Sequence, residues 1–176
     1  MDSLTLSGSH YLYRDGAASA LPVRVSLGSR MRGFVDGEGS LSLAALGNAP
    51  ESQVPRAAFV EGTEDFDVGD DHSCWIIDGR AGCVGASAPW RAPEPSAVPP
   101  AEPLHGLSAA ASACALDDDG AIRCWGAAAD PVLAYVPEGA GFVAVAVGDG
   151  AACAIDDVSD VWCWGDPDHP VLTAAR

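Results

Sequence analysis

The chain has 176 residues (17.9 kDa), of which 48% are apolar and 19% charged, with a mean hydropathy of +0.13 and a net charge of −16. These values limit it to one compact domain or a short repeat array, and they exclude a disordered tail. All basic residues are Arg, the first 56 residues are neutral and the remainder carries the whole net charge, so the surface repels phosphate backbones and anionic lipid, and neither nucleic acid nor membrane insertion is expected.

In chain order, residues 1–21 form an N-terminal segment without the basic and apolar regions of a secretory signal. It holds GSHYLYRDG (8–16), read as a remnant blade. Residues 22–176 are read as one four-repeat domain. The organising feature is a set of six cysteines at 74, 83, 114, 124, 153 and 163, in three close pairs whose second members recur at steps of 41 and 39 residues. A period near forty is the signature of a repeat array. The first unit, MRGFVDGEGSLSLAALG (31–47), has no cysteine, and stepping back one period aligns Phe34 and Leu43 with the cysteine positions.

The second unit, VGDDHSCWIIDGRAGCVG (68–85), reads as a hairpin. Placing Cys74 opposite Cys83 leaves Asp78-Gly79 as a two-residue loop, the preferred type I′ pair, and the same count in the first unit leaves Glu38-Gly39. Before it, EDFDVG (64–69) is expected to be a polar, more exposed strand. After it, the Pro-rich stretch 88–103 is an irregular connection with Trp90 as an aromatic anchor or a plug over a blade end. In the third unit (109–126), Cys114 opposite Cys124 leaves Asp118-Asp119-Gly120, a three-residue loop with Gly at its left-handed position. The apolar run GFVAVAVG (141–148) leads into the fourth unit (147–165), where the loop is Asp157-Val158-Ser159. Ser fits the left-handed position poorly, so a distorted turn is expected.

Counting outward from each turn puts every cysteine pair at a non-hydrogen-bonded site, where facing side chains come closest. Three cross-strand disulfides are expected, in preference to buried thiols or zinc, which favours shorter spacing between paired ligands. Alternation puts Cys114, Leu116, Ile122 and Cys124 on one face and Ala115, Arg123 and Trp125 on the other. A sheet apolar on both faces must be sandwiched between neighbours.

At these residues the chain resembles the regulator of chromosome condensation repeat family, in the cysteine-bearing form of secreted bacterial proteins. Gly69, His72, Cys74, Asp78, Gly79 and Cys83 match in the second unit, Cys114, Asp119, Gly120, Cys124, Trp125 and Gly126 in the third, and Gly148, Cys153, Cys163, Trp164 and Gly165 in the fourth. The resemblance implies an all-β fold of about four short propeller blades. The family's Gly-Gln-Leu-Gly element after Cys-Trp-Gly is missing, and family propellers generally have seven blades. Four blades imply either a tight ring or an open arc that dimerises.

No catalytic motif stands out, and neither metal nor cofactor is expected. The acidic strings 64–67, 117–119 and 156–157 serve turns in preference to calcium. His72 is read as a structural hydrogen-bonding residue, with partner binding as the alternative. The expected function is a secreted or surface-exposed, non-enzymatic protein-binding module. Its rim carries Asp70, Asp71, His72 and Asp149, joined by Trp90, and faces a protein partner of basic character. The alternatives are an enzyme or its accessory domain with a channel site, and a structural fragment that completes a propeller with another chain.

Overall fold

The computed structural model describes residues 22–46, 61–69, 72–85, 99–101 and 103–174. The remnant at 8–16, the pair Asp70 and Asp71, and Trp90 with its Pro-rich surroundings up to residue 98 lie outside the described residues. Among the described residues, twelve strands form four antiparallel sheets of three, each a simple meander in chain order. They are β1 (Pro22–Leu27), β2 (Met31–Asp36) and β3 (Leu41–Ala45); β4 (Asp65–Val68), β5 (His72–Ile77) and β6 (Arg80–Gly85); β7 (Leu104–Ala109), β8 (Ala113–Asp117) and β9 (Ile122–Trp125); and β10 (Phe142–Val147), β11 (Ala151–Asp156) and β12 (Val161–Gly165). The innermost strands β1, β4, β7 and β10 pack in sequence, and the first and last sheets share no comparable interface. Among the described residues the blades therefore form an open series and not a closed ring.

Cys74, Cys114 and Cys153 lie directly opposite Cys83, Cys124 and Cys163, and all three pairs are disulfides with Cα separations of 4.0–4.1 Å. The close approach is that of non-hydrogen-bonded pairs. Asp78 and Gly79 have φ of 50° and 69°, as a type I′ turn requires. In the first blade the register differs from expectation: Gly33, not Phe34, lies opposite Leu43, and Phe34 faces Ser42. The reason is the turn. Asp36 to Ser40 forms the same three-residue loop as the third and fourth blades, with Gly39 left-handed at φ 80°, and the extra loop residue shifts the pairing by one. Gly33 occupies the cysteine position because a Cβ there would lie 2.7 Å from the Phe66 ring. The fourth turn is not distorted. Ser159 takes the left-handed position at φ 71°, and Asp156 accepts from the Val158 and Asp160 amides just as Asp117 does from Asp119 and Ala121.

Stacking explains the two apolar faces. The cysteine face of the second blade (Cys74, Ile76) packs on Ala113, Ala115 and Trp125 of the third. The cysteine face of the third (Cys114, Leu116, Ile122) packs in turn on Ala152, Ala154 and Trp164 of the fourth. Small residues beside one Trp let the sheets approach closely while the indole fills the remaining space. Trp125 Nε1 donates to Cys83 Sγ of the preceding blade at 3.2 Å, and Trp164 Nε1 to the Val132 carbonyl in the segment that follows the third blade at 2.9 Å, so both indole N–H groups are satisfied.

A second, polar link repeats along the inner strands. The residue opposite the first cysteine position is Ser26, Asp67, Ser108 and Ala146 in the four blades. Ser26 Oγ accepts from Val68 N at 3.0 Å, Asp67 Oδ2 from Ala109 N at 2.8 Å, and Ser108 Oγ from Val147 N at 3.0 Å. Each latch thus joins one blade to the backbone of the next. Asp65 adds a parallel bond from Leu107 N and an ion pair with Arg24. β4 is accordingly not the exposed strand that its acidic residues imply: Phe66 and Val68 are buried and the carboxylates are engaged with neighbouring blades. A third link runs from turn to strand, where Thr63, Leu104 and Phe142 donate their amides to the carbonyls of Gly39, Gly79 and Gly120.

Two short helices, α1 (Pro131–Ala134) and α2 (Pro170–Ala174), follow the third and fourth blades. Both begin after Trp-Gly and three residues, with Asp130-Pro131-Val132-Leu133 and His169-Pro170-Val171-Leu172. Asp130 caps Val132 N and Pro131 sits in the first turn, where its missing N–H costs nothing.

Reduction of the disulfides should lower stability by about 2–3 kcal/mol for each hairpin, and thiol titration of denatured, unreduced protein should find almost no free thiol. Ser108→Ala, which leaves the Val147 amide without its acceptor, should cost about 1–3 kcal/mol in denaturant unfolding, whereas Ala146→Ser should change stability little.

Candidate functional site

The described parts of the connections between the first and second strands of each blade, residues 28–30, Gly69, 110–112 and 148–150, lie at one end of the sheets. A Cβ on Gly28 would fall 2.0 Å from the Gly69 carbonyl oxygen, and one on Gly69 would fall 2.2 Å from that of Ala110. The first three connections therefore abut, and glycine permits the contact. Asp149 lies exposed in the fourth, between Gly148 and Gly150. His72 is 0% exposed. Its carbonyl accepts from Gly69 N at 2.9 Å, and a Cβ on Gly69 would meet its ring at 2.4 Å. The imidazole is packed beneath the connection and exposes no surface of its own.

The opposite end of the sheets carries the second-to-third strand turns, where Asp36, Asp117 and Asp156 each accept two backbone amides through Oδ1. In the third and fourth blades the outer oxygen accepts from the side chain six residues on, Arg123 Nε at 3.0 Å and Trp162 Nε1 at 2.9 Å. For Asp117 burial is the largest influence and opposes ionisation. The Ala121 amide, the Arg123 guanidinium and the Asp119 amide outweigh it and hold the carboxyl below its ordinary 3.8. Asp156 is held low chiefly by the Trp162 indole, against some burial and with help from the Asp160 and Val158 amides. The sequence signal that could have revealed this pairing is the recurrence of a donor six residues after each turn Asp.

A third surface was not foreseen. The cysteine face of the fourth blade comprises Ala144, Ala146, Cys153, Ile155, Val161 and Cys163. No described sheet packs on it: Ile155 is 41% and Val161 67% exposed, where Ile76, Leu116 and Ile122 of the earlier blades are buried. Val171 of α2 is likewise 43% exposed, whereas Val132 of α1 is fully buried under the next blade.

No family model and no curated protein matches the chain. Solved structures do. The ectodomain of the Arabidopsis thaliana receptor kinase ACR4 aligns at 25% identity and a TM-score of 0.62, covering 81% of this chain and 50% of its own. Prp20p from Saccharomyces cerevisiae, reported with its binding properties to Gsp1p and histones, aligns at 15% identity and a TM-score of 0.65, covering 88% of this chain and 48% of its own. Yeast RCC1 (Prp20) bound to Kap60 aligns at 15% identity and a TM-score of 0.64, covering 87% of this chain and 45% of its own. The chain spans about half the length of these structures. Its fold is that of an RCC1-like β-propeller, with four blades among the described residues.

Both turn carboxyls are more acidic folded than unfolded. Their contribution is present above the ordinary 3.8 and is lost as pH falls below it through the folded value. A variant carrying Asp117→Asn and Asp156→Asn should therefore show a shallower acid limb in a stability–pH profile than the parent chain.

Proposed function

We infer that the chain is a non-enzymatic protein-binding module that works in an oxidising, extracellular setting and recognises a partner of basic character. The carrying observation is electrostatic. No basic residue lies between Arg123 and Arg176, while Asp130, Glu138, Asp149, Asp156, Asp157, Asp160, Asp166 and Asp168 all fall in that stretch. Asp149 stands exposed on the connection of the fourth blade, next to a disulfide-linked hairpin, and loops on a rigid scaffold are the usual place for recognition. Three disulfides fit a secreted or surface protein, since cytosolic thiols are kept reduced. Propellers of this fold include Prp20p, which has been studied for binding to other proteins.

A second reading is favoured by the exposed Val25 and Leu27 at the first blade and by Ile155 and Val161 at the last. On this reading the blades associate with another chain, a second copy included, and light scattering of the oxidised protein reads the mass directly.

The test of the first reading is affinity capture with the oxidised chain, partner identification by mass spectrometry, and association kinetics at rising salt. Association should slow as salt rises and weaken in a variant carrying Asp70→Asn, Asp71→Asn and Asp149→Asn. Unchanged association and affinity in that variant would assign the acidity to solubility alone.

A further inference from the structure

The three disulfides differ in what lies over them. Cys74 and Cys114 are fully buried. The second-blade bridge is roofed by Ala113, Ala115 and Trp125 of the third blade, whose indole donates to Cys83 Sγ. The third-blade bridge is roofed in the same way by Ala152, Ala154 and Trp164 of the fourth. No described sheet roofs Cys153–Cys163. Both of its cysteines keep some exposure, and they stand among the exposed Ala144, Ala146, Ile155 and Val161. Cys163 also lines a groove of about 610 Å³ together with Tyr135, Pro167 and Leu172.

Thiol–disulfide exchange asks two things of a bridge: a sulfur that an incoming thiolate can reach, and a leaving sulfur that can carry negative charge. Cys83 and Cys124 are partly exposed at the outer edges of their sheets. Attack on either, however, would expel Cys74 or Cys114 as a thiolate at 0% exposure, where the loss of solvent disfavours the charge. Attack on Cys163 expels Cys153, which reaches water. Of the three bridges, that of the fourth blade alone meets both requirements.

We propose that the Cys153–Cys163 bridge is a thiol-modification site, at which a small thiol enters from the groove and adds to Cys163. The incoming thiolate attacks Cys163 Sγ, the Cys153–Cys163 bond breaks, and the electron pair leaves with Cys153 as a thiolate that takes up a proton. The product is a mixed disulfide at Cys163 and a free thiol at Cys153, so the number of disulfide bonds is unchanged. A second thiol molecule that attacks the added sulfur releases Cys163. That step completes a two-electron reduction of the bridge and oxidises the two thiol molecules to their own disulfide. The roofed bridges stay closed, and the response is confined to the last hairpin, whose outer strand β12 pairs with β11 alone. This chemistry goes beyond partner recognition and does not depend on it.

The probe is 2-mercaptoethanol added to the folded, oxidised chain. Samples are quenched with acid at intervals, free thiols are trapped with N-ethylmaleimide, and the adducts are located by peptide mass spectrometry. The expected first species carries mercaptoethanol on Cys163 and maleimide on Cys153, and it forms at least about ten-fold faster than any adduct of the other two bridges. In denaturant the three bridges should react at similar rates, because the selectivity belongs to the fold. A variant carrying Cys153→Ser and Cys163→Ser should lose the fast phase and keep the slow ones. Equal rates at the three bridges of the folded chain would overturn the proposal. So would a first adduct on Cys83, Cys124 or Cys153, a fast phase that survives in the double variant, or a selectivity that persists in denaturant and therefore belongs to local sequence.

Discussion

A three-stranded sheet with apolar residues on both faces cannot stand alone in water, and every other feature of this molecule follows from the stacking that resolves the problem. The cysteine faces of the second and third blades each receive the Ala and Trp face of the next blade. Cys114, Leu116 and Ile122 are covered by Ala152, Ala154 and Trp164 and by Phe142 and Val132 around them. Because the hydrophobic term is non-directional, apolar contact alone would let such sheets slide over one another. Direction comes from the polar links at the inner strands and turns, which fix the height at which each blade meets its neighbour.

The disulfides act within this scheme at the level of one hairpin. Small three-stranded units bury too little to be stable individually, and cross-linking β5 to β6, β8 to β9 and β11 to β12 reduces the freedom each hairpin loses on folding. The cross-linked face is also the one that receives the next blade, so the covalent bond and the interface reinforce the same register. The first blade has no disulfide and substitutes Gly33 for the first cysteine position, which lets the Phe66 ring of the second blade approach its backbone. Its stability therefore rests more heavily on the Arg24–Asp65 and Ser26–Asp67 contacts with its neighbour.

The two sides of the arc have different chemistry. The turn carboxylates at Asp36, Asp117 and Asp156 are consumed by backbone amides and are structural. Asp149 stands on the opposite side, on a connection held between glycines. The end face of the fourth blade is apolar, with Ile155 and Val161 exposed. Among the described residues, His72 is packed under a connection, His105 Nε2 lies 3.2 Å from the Asp117 carbonyl, and His169 Nδ1 accepts from the Val171 amide at 3.3 Å.

The residues by themselves determined the repeat, the cysteine partners, the turn types at Asp78-Gly79 and Gly120, and the assignment of apolar faces, because strand alternation and turn conformation are local properties with a fixed period. Local reasoning misplaced the first blade by one residue, because Glu38-Gly39 reads as a two-residue loop whereas Asp36 to Ser40 closes around three residues, a register in which Gly33 admits the Phe66 ring. It also read β4 as exposed, because the acceptors that employ Asp65 and Asp67 were matched by amides some forty residues away, on a strand whose position the sequence does not state. The open face of the fourth blade was invisible for the same reason. Ala146 and Val161 look like core residues in a strand pattern, and whether such a face is covered depends on the presence of a neighbouring sheet, which is decided only when the blades are assembled in space.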